Sequence, residues 1–222
     1  MTSQRFIGTP WGPSGVPSVK RPAGRVAQHP LIDLQRQAGN AAVAALVQRI
    51  SPTVQRTVTF DDCEALEFGI AGDHRRAMEM ARTTIVKLRA YDGTSPAAVA
   101  AALQKHFHSK RKIVASMVAN GLENLVSDAD DVQYECHEQE DQGSTLAEAL
   151  WCIPFTDVKL FKKYFSSDDT TKANTLIHEL SHRYLCTFDL GYDWEPSYGT
   201  AGTFRALNNA EPYGNIVVAL GR

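Results

Sequence analysis

The chain has 222 residues, of which 43% are hydrophobic and 22% are charged, and its formal net charge is −2. This length suits one globular domain with an appendage and is too short for two full-sized domains. The near-neutral charge gives no general reason to expect a nucleic-acid partner. We expect no membrane span, since the sequence has no apolar run of roughly 18 residues, and the first thirty residues lack the apolar core of a secretory signal.

The first 56 residues differ in composition from the rest. They carry seven basic side chains and one acid, and five of the ten prolines lie within residues 1–30. Proline and glycine at this density interrupt helices and strands, so we expect residues 1–30 to form an extended or disordered arm. Apolar residues at three- and four-residue steps then predict a short helical segment over 31–50. The sequence thus divides into this basic region, 1–56, and a packed domain over 57–222.

Residues 34–49 read L-Q-R-Q-A-G-N-A-A-V-A-A-L-V-Q-R. One interpretation is an ordinary amphipathic hairpin that docks on the main domain. The core L-x-x-x-A-G-N-x-A-V also resembles a segment near the N-termini of proteins associated with extracellular contractile injection systems. This resemblance implies a toxin or effector that is loaded into an injection particle as cargo. Such a protein would be cytoplasmic in the producing cell and delivered outside it, or into a target cell, by the particle.

Two helical stretches are predicted in the first half of the main domain. An apolar stripe predicts a helix over 73–91. Ser95-Pro96 predicts the start of a second stretch, with the serine as its cap, and Asn120-Gly121 predicts its end. The expected buried face of this second stretch comprises Val99, Leu103, Phe107, Val114, Met117 and Val118.

The segment between these helices and the C-terminal third is strongly acidic. Residues 128–148 are typical of a solvated loop or hairpin, with an acidic rim that attracts basic substrates as the alternative. Residues 149–153 are the best strand candidate, and Pro154 would end that strand. His106-Phe-His108 is interpreted as a solvated helix end rather than a second metal site.

The most informative motif is His178-Glu179-Leu180-Ser181-His182. Two histidines four residues apart lie on the same face of a helix, so their ring nitrogens can bind one zinc ion. The glutamate between them can then accept a proton from a water on the metal. Three apolar residues and a tyrosine on the opposite face would anchor the helix to the core: Leu176, Ile177, Leu180 and Tyr184.

A catalytic zinc requires a third protein ligand and one open position. The glycine and histidine that a metzincin needs after the motif are replaced by Leu185 and Phe188, which excludes that class. Two alternatives remain. Glu211, in Asn208-Asn-Ala-Glu211, lies at a plausible distance for a gluzincin-like ligand, and Asp189 follows the predicted helix directly.

The segment from Cys186 to Asp193 reads C-T-F-D-L-G-Y-D. It resembles the G-T-x-D-x-x-Y-G motif of the aspzincin metallopeptidases, the family of deuterolysin and peptidyl-lysine metalloendopeptidases, although both flanking glycines are replaced and the spacing from His182 is short. Asn174-Thr-Leu-Ile-His-Glu and Asn209-Ala-Glu-Pro-Tyr213 resemble further segments of that family. The likeness is specific over 174–192 and looser over 60–220.

The resemblance implies an α+β, helix-rich zincin-like domain with a small sheet and a Zn²⁺ cofactor. It carries His178, His182 and Asp189 over as metal ligands, Glu179 as general base and Tyr192 as the donor to the oxyanion. An end-capping role for Asp189 and a packing role for Tyr192 remain alternatives.

The resemblance also bears on substrate and disulfides. In its lysine-specific members two acids face the substrate lysine, whereas this chain has Glu211 at the first position and Gly214 at the second. A preference for cleavage before lysine is therefore expected to be weakened or lost, unless Asp193 or Glu195 compensates. The family pattern further suggests a Cys136–Cys152 bridge, with Cys63 and Cys186 free.

The sequence therefore predicts a zinc-dependent endopeptidase that acts on protein or peptide substrates. The alternative is a non-catalytic cargo or adaptor protein in which the metal only stabilises the fold.

Overall fold

A computed structural model of the chain describes residues 58–139, 142–153 and 157–222. The predicted N-terminal arm and the helical segment over 31–50 lie outside these residues, so the division at residue 56 stays a prediction. Within the described residues no helix is both long and apolar enough to cross a membrane.

The described region contains seven α-helices, of which two are short. Helix α5, which carries the H-E-x-x-H motif, begins after Asp168, whose carboxylate caps it by accepting hydrogen bonds from the backbone of Thr170 and Thr171. The helices are α1 (Glu67–Ala90), α2 (Ala97–Phe107), α3 (Lys112–Asp128), α4 (Lys162–Phe165), α5 (Asp169–Leu185), α6 (Thr203–Leu207) and α7 (Glu211–Leu220). Short 3₁₀ turns occur at Glu64–Leu66 and Tyr198–Thr200.

Four short strands form one mixed sheet: β1 (Thr59–Asp61), β2 (Gln133–His137), β3 (Ala147–Ala149) and β4 (Val158–Phe161). Their order is β1-β2-β4-β3. The first two pairings are parallel, and β3 runs antiparallel to β4 with Ala147 opposite Leu160. Strand β3 is consequently an edge strand of this sheet. The helix-rich α+β fold class predicted from the sequence is confirmed.

Helix α5 lies at the centre of the domain. It contacts α1, α3 and α7 on its buried sides and β3 on the remaining side. Leu176, Ile177 and Leu180 are fully buried, as predicted, whereas Tyr184 is only partly buried. A helix held on several sides in this way fixes the direction of every side chain it presents towards β3.

The structure corrects several predicted boundaries. The second helical stretch is interrupted at His108, which adopts the left-handed conformation that ends α2. Its cap is not Ser95, because the residue before α2 is Pro96 and no side chain caps the helix. Gly121 does not end α3. A Cβ there would lie 3.2 Å from the ring of Tyr213 in α7, so this glycine allows α7 to pack closely against the middle of α3. Met117 is 47% exposed rather than buried.

The predictions for the sheet were also partly wrong. The strand lies at 147–149 instead of 149–153, where the chain turns. The acidic stretch contains β2 as well as loops. Alternate residues of β2 are buried in the core, as expected for a strand with one face against the core. His106 is buried and its Nδ1 lies 3.0 Å from the hydroxyl of Tyr198, so the predicted solvated helix end is wrong at this residue.

The four cysteines form two disulfides, Cys63–Cys136 and Cys152–Cys186. The expected Cys136–Cys152 bridge is therefore wrong. Cys63 follows β1, and β1 pairs with the strand that contains Cys136, so these two thiols meet through strand pairing. Cys152 follows β3 and meets Cys186 at the end of α5, a proximity that depends on the docking of α5 against β3.

Candidate metal centre

Three side chains place one ligand atom each at a common point beside α5. Nε2 of His178 lies 3.1 Å from Nε2 of His182 and 3.1 Å from Oδ1 of Asp189. Nε2 of His182 lies 3.4 Å from the same carboxylate oxygen. The three residues are the metal-ligating cluster found among the described residues. The structure thus brings together the two histidines and the aspartate that the aspzincin resemblance implied.

The outer nitrogen of each histidine has a hydrogen-bond acceptor. Nδ1 of His182 lies 2.8 Å from the backbone oxygen of Thr187, and Nδ1 of His178 lies 3.3 Å from Oε2 of Glu211. If Nδ1 donates in each case, the neutral ring presents the lone pair of Nε2 towards the common point. Two imidazole lone pairs and a carboxylate oxygen then face one another, and a cation between them could be bound by all three. Nitrogen and carboxylate donors in this number fit a catalytic zinc ion.

Glu211 lies beside the three ligand atoms rather than among them, and it also lines a cavity next to the centre. Its carboxylate reaches the far side of the His178 ring, and its other oxygen accepts a hydrogen bond from Nδ2 of Asn215 at 3.0 Å. It is 7% exposed. Glu211 thus contacts His178 from the far side of its ring, and Asp189 is the third side chain at the common point.

Asp189 is held in place by contacts that are distant in sequence. Its neighbour Phe188 pairs with the 208–210 segment: the Phe188 amide donates to Asn208 and its carbonyl accepts from Ala210. The side chain of Asn209 accepts from the backbone of Leu190 at 3.0 Å and donates to the oxygen of Gly191 at 2.6 Å. We define residues 186–192 as the ligand loop. Its conformation depends on the 208–210 segment, just before α7, as much as on its own sequence.

Glu179 lies in the wall of the same site. It is 7% exposed, and the backbone amide of Ala149 in β3 donates to its carboxylate. Burial raises the pKa of this carboxyl above its ordinary value, which strengthens it as a base.

Tyr192 stacks on the site from the ligand loop. Its ring is parallel to that of His178, with centroids 6.1 Å apart, and Trp194 stacks on it at 4.6 Å. Burial and the nearby carboxylate of Asp189 raise the pKa of Tyr192 to about 12. The phenol therefore keeps its proton at neutral pH and can donate it in a hydrogen bond.

The charges of the centre are strongly coupled. Hydrogen bonds from His178 and His182 hold the pKa of Asp189 far below its ordinary value. Burial lowers the pKa of His178, but hydrogen bonds to Asp189 and Glu211 outweigh it and raise that pKa to about 10. An anionic site of this kind attracts positive charge, and a bound metal ion replaces protons on its ligands.

Two neighbouring cavities open on either side of the centre. Both are lined by Ala147, His178, Glu179 and Tyr192. The first has a volume of about 360 Å³ and continues past Trp151 and Phe188. The second, of about 470 Å³, continues past Glu211, Asn174, Asn215, Asp193 and Trp194. Together they form one cleft along the edge strand β3, large enough for several substrate residues.

Sequence reasoning missed the aromatic walls of this cleft. Trp151 and Trp194 are 50% and 72% exposed, and Phe188 is 44% exposed. In the sequence, Phe188 drew attention only because it stands where a metzincin would have its third histidine. Large apolar residues next to ligands are a usable signal, but only the fold shows that these three line the cleft.

The structure explains why a glycine, Gly214, stands where the lysine-specific aspzincins have their second acid. A Cβ at this position would lie 2.6 Å from Oδ1 and 2.8 Å from the backbone oxygen of Asn174, because α7 crosses α5 there. Glu195 does not line either cavity described above. Its Oε2 accepts from the backbone amide of Tyr192 at 3.3 Å, so it supports the ligand loop instead.

Comparison with solved structures shows what this fold is similar to. A zinc peptidase from Grifola frondosa superposes with a TM-score of 0.58 and 19% sequence identity, over 70% of this chain and 96% of that chain. At this identity the likeness shows the fold. No family model matches the sequence, and no curated protein matches it either. The chain thus shares its fold with a zinc peptidase, in agreement with what the resemblance implied for its architecture.

Proposed function

We propose that the protein is a zinc-dependent endopeptidase of the aspzincin type. The observation that carries this proposal is the convergence of His178, His182 and Asp189 in an open cleft, with the buried carboxylate of Glu179 beside them. A metal site that only stabilises a fold is usually closed by four protein ligands. The shared fold with a zinc peptidase supports the same reaction class.

Each side chain has a role in peptide hydrolysis that follows from its position. His178, His182 and Asp189 would hold zinc, which supplies a Lewis acid and lowers the pKa of water when bound. Glu179, with its raised pKa, accepts a proton from the attacking water and delivers it to the leaving amine. Tyr192 keeps its proton at neutral pH and donates a hydrogen bond to the oxyanion.

The edge strand provides a means to hold an extended substrate. The Phe161 amide donates to the Leu146 carbonyl at 2.9 Å, so the antiparallel alternation turns the backbone groups of Ala147 and Ala149 away from β4. Ala149 uses its amide for Glu179, and Ala147 faces the cleft. A peptide that adds to this edge as a further strand places its backbone across the metal centre. Binding of this kind has no need of a chain end, which is why we propose an endopeptidase.

The residue that follows the cut is proposed to lie in the second cavity, near Glu211. Glu211 and Asp193 line it together with the amides of Asn174 and Asn215. This lining is compatible with lysine. However, the Glu211 carboxylate is shared between His178 and Asn215, and Gly214 offers no second acid. We therefore expect a lysine preference weaker than that of a site with two free acids.

Cleavage of denatured casein by the zinc-loaded protein tests the proposed activity. Glu179→Gln should retain zinc and lose roughly 100- to 10,000-fold in rate, which is what general-base catalysis contributes. The matched control is Glu79→Gln, which changes an exposed glutamate of α1 that lines neither cavity and should leave the rate unchanged. Cleavage that survives both a chelator and Glu179→Gln would refute the proposal. Absence of cleavage by the zinc-loaded protein would instead favour the non-catalytic adaptor.

We propose that residues 34–49 serve delivery, as cargo of a contractile injection particle. The support is the sequence resemblance alone, since these residues lie outside the described part of the chain. Deletion of residues 1–50 should abolish loading into particles and leave casein cleavage intact. Unchanged loading would refute the delivery role.

A further inference from the structure

Trp151 and Phe188 form a shelf of exposed aromatic surface at one end of the cleft. Their rings stack with centroids 4.8 Å apart and an interplanar angle of 24°. Both line the cavity of about 360 Å³ that also contains Glu179 and His182. Exposed aromatic surface that is continuous with a polar site marks a place where a ligand buries apolar groups.

Backbone contacts hold both Trp151 and Phe188 at fixed positions relative to the metal centre. The amide of Cys152, next to Trp151, donates to the backbone oxygen of His182 at 3.0 Å, and Cys152 is bridged to Cys186. Phe188 precedes Asp189 and is paired on both backbone groups with the 208–210 segment. The distance from these rings to the ligands is therefore set by the fold, as a specificity site requires.

The exposed part of the shelf is apolar in character. The indole Nε1 of Trp151, its one donor, is used by the backbone oxygen of Cys186 at 2.9 Å. What remains accessible is the hydrocarbon surface of the two rings. The cavity of the shelf also has Glu148 and Asp189 in its lining, so the apolar surface at this end of the cleft comes from the two rings themselves.

We propose that this shelf is a substrate subsite that selects a large apolar or aromatic side chain, on the opposite side of the scissile bond from the Glu211 cavity. The shelf follows β3 in the chain, whereas Ser144 and Leu146, which line the Glu211 cavity and not the cavity of the shelf, precede it. A peptide laid along β3 therefore meets the two cavities on opposite sides of Glu179. This proposal rests on the proposed peptidase function, but binding at the subsite can be measured without catalysis.

The test uses the zinc-loaded Glu179→Gln protein and labelled alanine-based peptides in which a single phenylalanine is moved along the sequence. Fluorescence anisotropy should show one position at which phenylalanine tightens binding by about tenfold, the discrimination typical of an apolar pocket. Adding Trp151→Ala should abolish this gain, and adding Trp151→Phe should keep most of it. Trp194→Ala, which removes an exposed aromatic from the other cavity, should leave it unchanged.

Equal binding of all peptides, or a gain that persists in Trp151→Ala, overturns the subsite. So does a preference for arginine or lysine at the same position, which would show a cation bound on the indole face. If Trp151→Ala fails to fold, Phe188→Leu replaces it under the same criterion. A protein that shows this selectivity but never cleaves casein would refute the peptidase and retain the subsite.

In active protein, sequencing of products from a peptide library locates the selected residue relative to the cut. Enrichment of aromatic residues on the side away from the Glu211 cavity, lost in Trp151→Ala, supports the assignment. Enrichment on the same side as lysine contradicts it.

Discussion

The two halves of the metal centre are built in different ways. His178, Glu179 and His182 lie within one turn of α5, and their relative positions follow from helix geometry once the helix is buried. Asp189 and Tyr192 lie on the ligand loop, which is shaped by backbone pairing with 208–210 and by the side chain of Asn209. The first half is specified locally, and the second depends on contacts across the domain. Substitutions far from the metal should consequently impair the loop half more than the helix half.

The largest effect should come from removing the loop ligand itself. Asp189→Ala should weaken zinc binding by more than 100-fold, beyond the roughly 10- to 100-fold that loss of an outer partner costs. Glu211→Ala should fall within that lower range, because the only contact of Glu211 with the three ligand side chains is at the far nitrogen of His178. Zinc content measured under competition with a graded chelator separates the two. If Glu211→Ala lost more zinc than Asp189→Ala, the assignment of the third ligand would be reversed.

The sequence predicted the helix half of the centre better than the loop half. The H-E-x-x-H helix and its buried face could be predicted because spacing along one helix is a local property. The role of Glu211 could not be read from its N-x-x-E string, because that role depends on the approach of α7 to His178. The sequence offered Asp189 and Glu211 as rival third ligands, and only the family resemblance favoured the aspartate.

Other errors have the same physical origin. Gly121 was interpreted as a helix end, although it permits the approach of Tyr213 from another helix. The pairing of Cys152 with Cys186 requires β3 to dock beside the end of α5, which no local pattern reveals. Strands β1 and β4 were not predicted, since they have three and four residues and gain their order from neighbouring strands.

An intermediate effect is expected from the residue that clamps the ligand loop. Asn209→Ala removes two hydrogen bonds to Leu190 and Gly191 and should weaken zinc binding by about tenfold, as for other groups that orient ligands. Circular dichroism should show unchanged helix content. The matched control is Asn208→Ala, whose side chain bonds only to the nearby backbone oxygen of Phe204. Equal zinc affinity in the two variants would show that the loop does not depend on this clamp.

The smallest effect on the centre should come from the disulfides, and it should differ between them. Replacing either pair by serine should lower the free energy of unfolding by about 2–4 kcal/mol, which denaturant titration of the zinc-free protein measures. Cys152→Ser with Cys186→Ser should also weaken zinc binding by a few-fold, because that bridge joins the start of the ligand loop to the segment after β3. Cys63→Ser with Cys136→Ser should leave zinc affinity unchanged, since that bridge ties β1 to β2 and neither cysteine lines the cleft. If both double variants lost the same zinc affinity, the ligand loop would depend only on the overall stability of the domain. The helix half and the loop half of the centre would then not differ in how they are built.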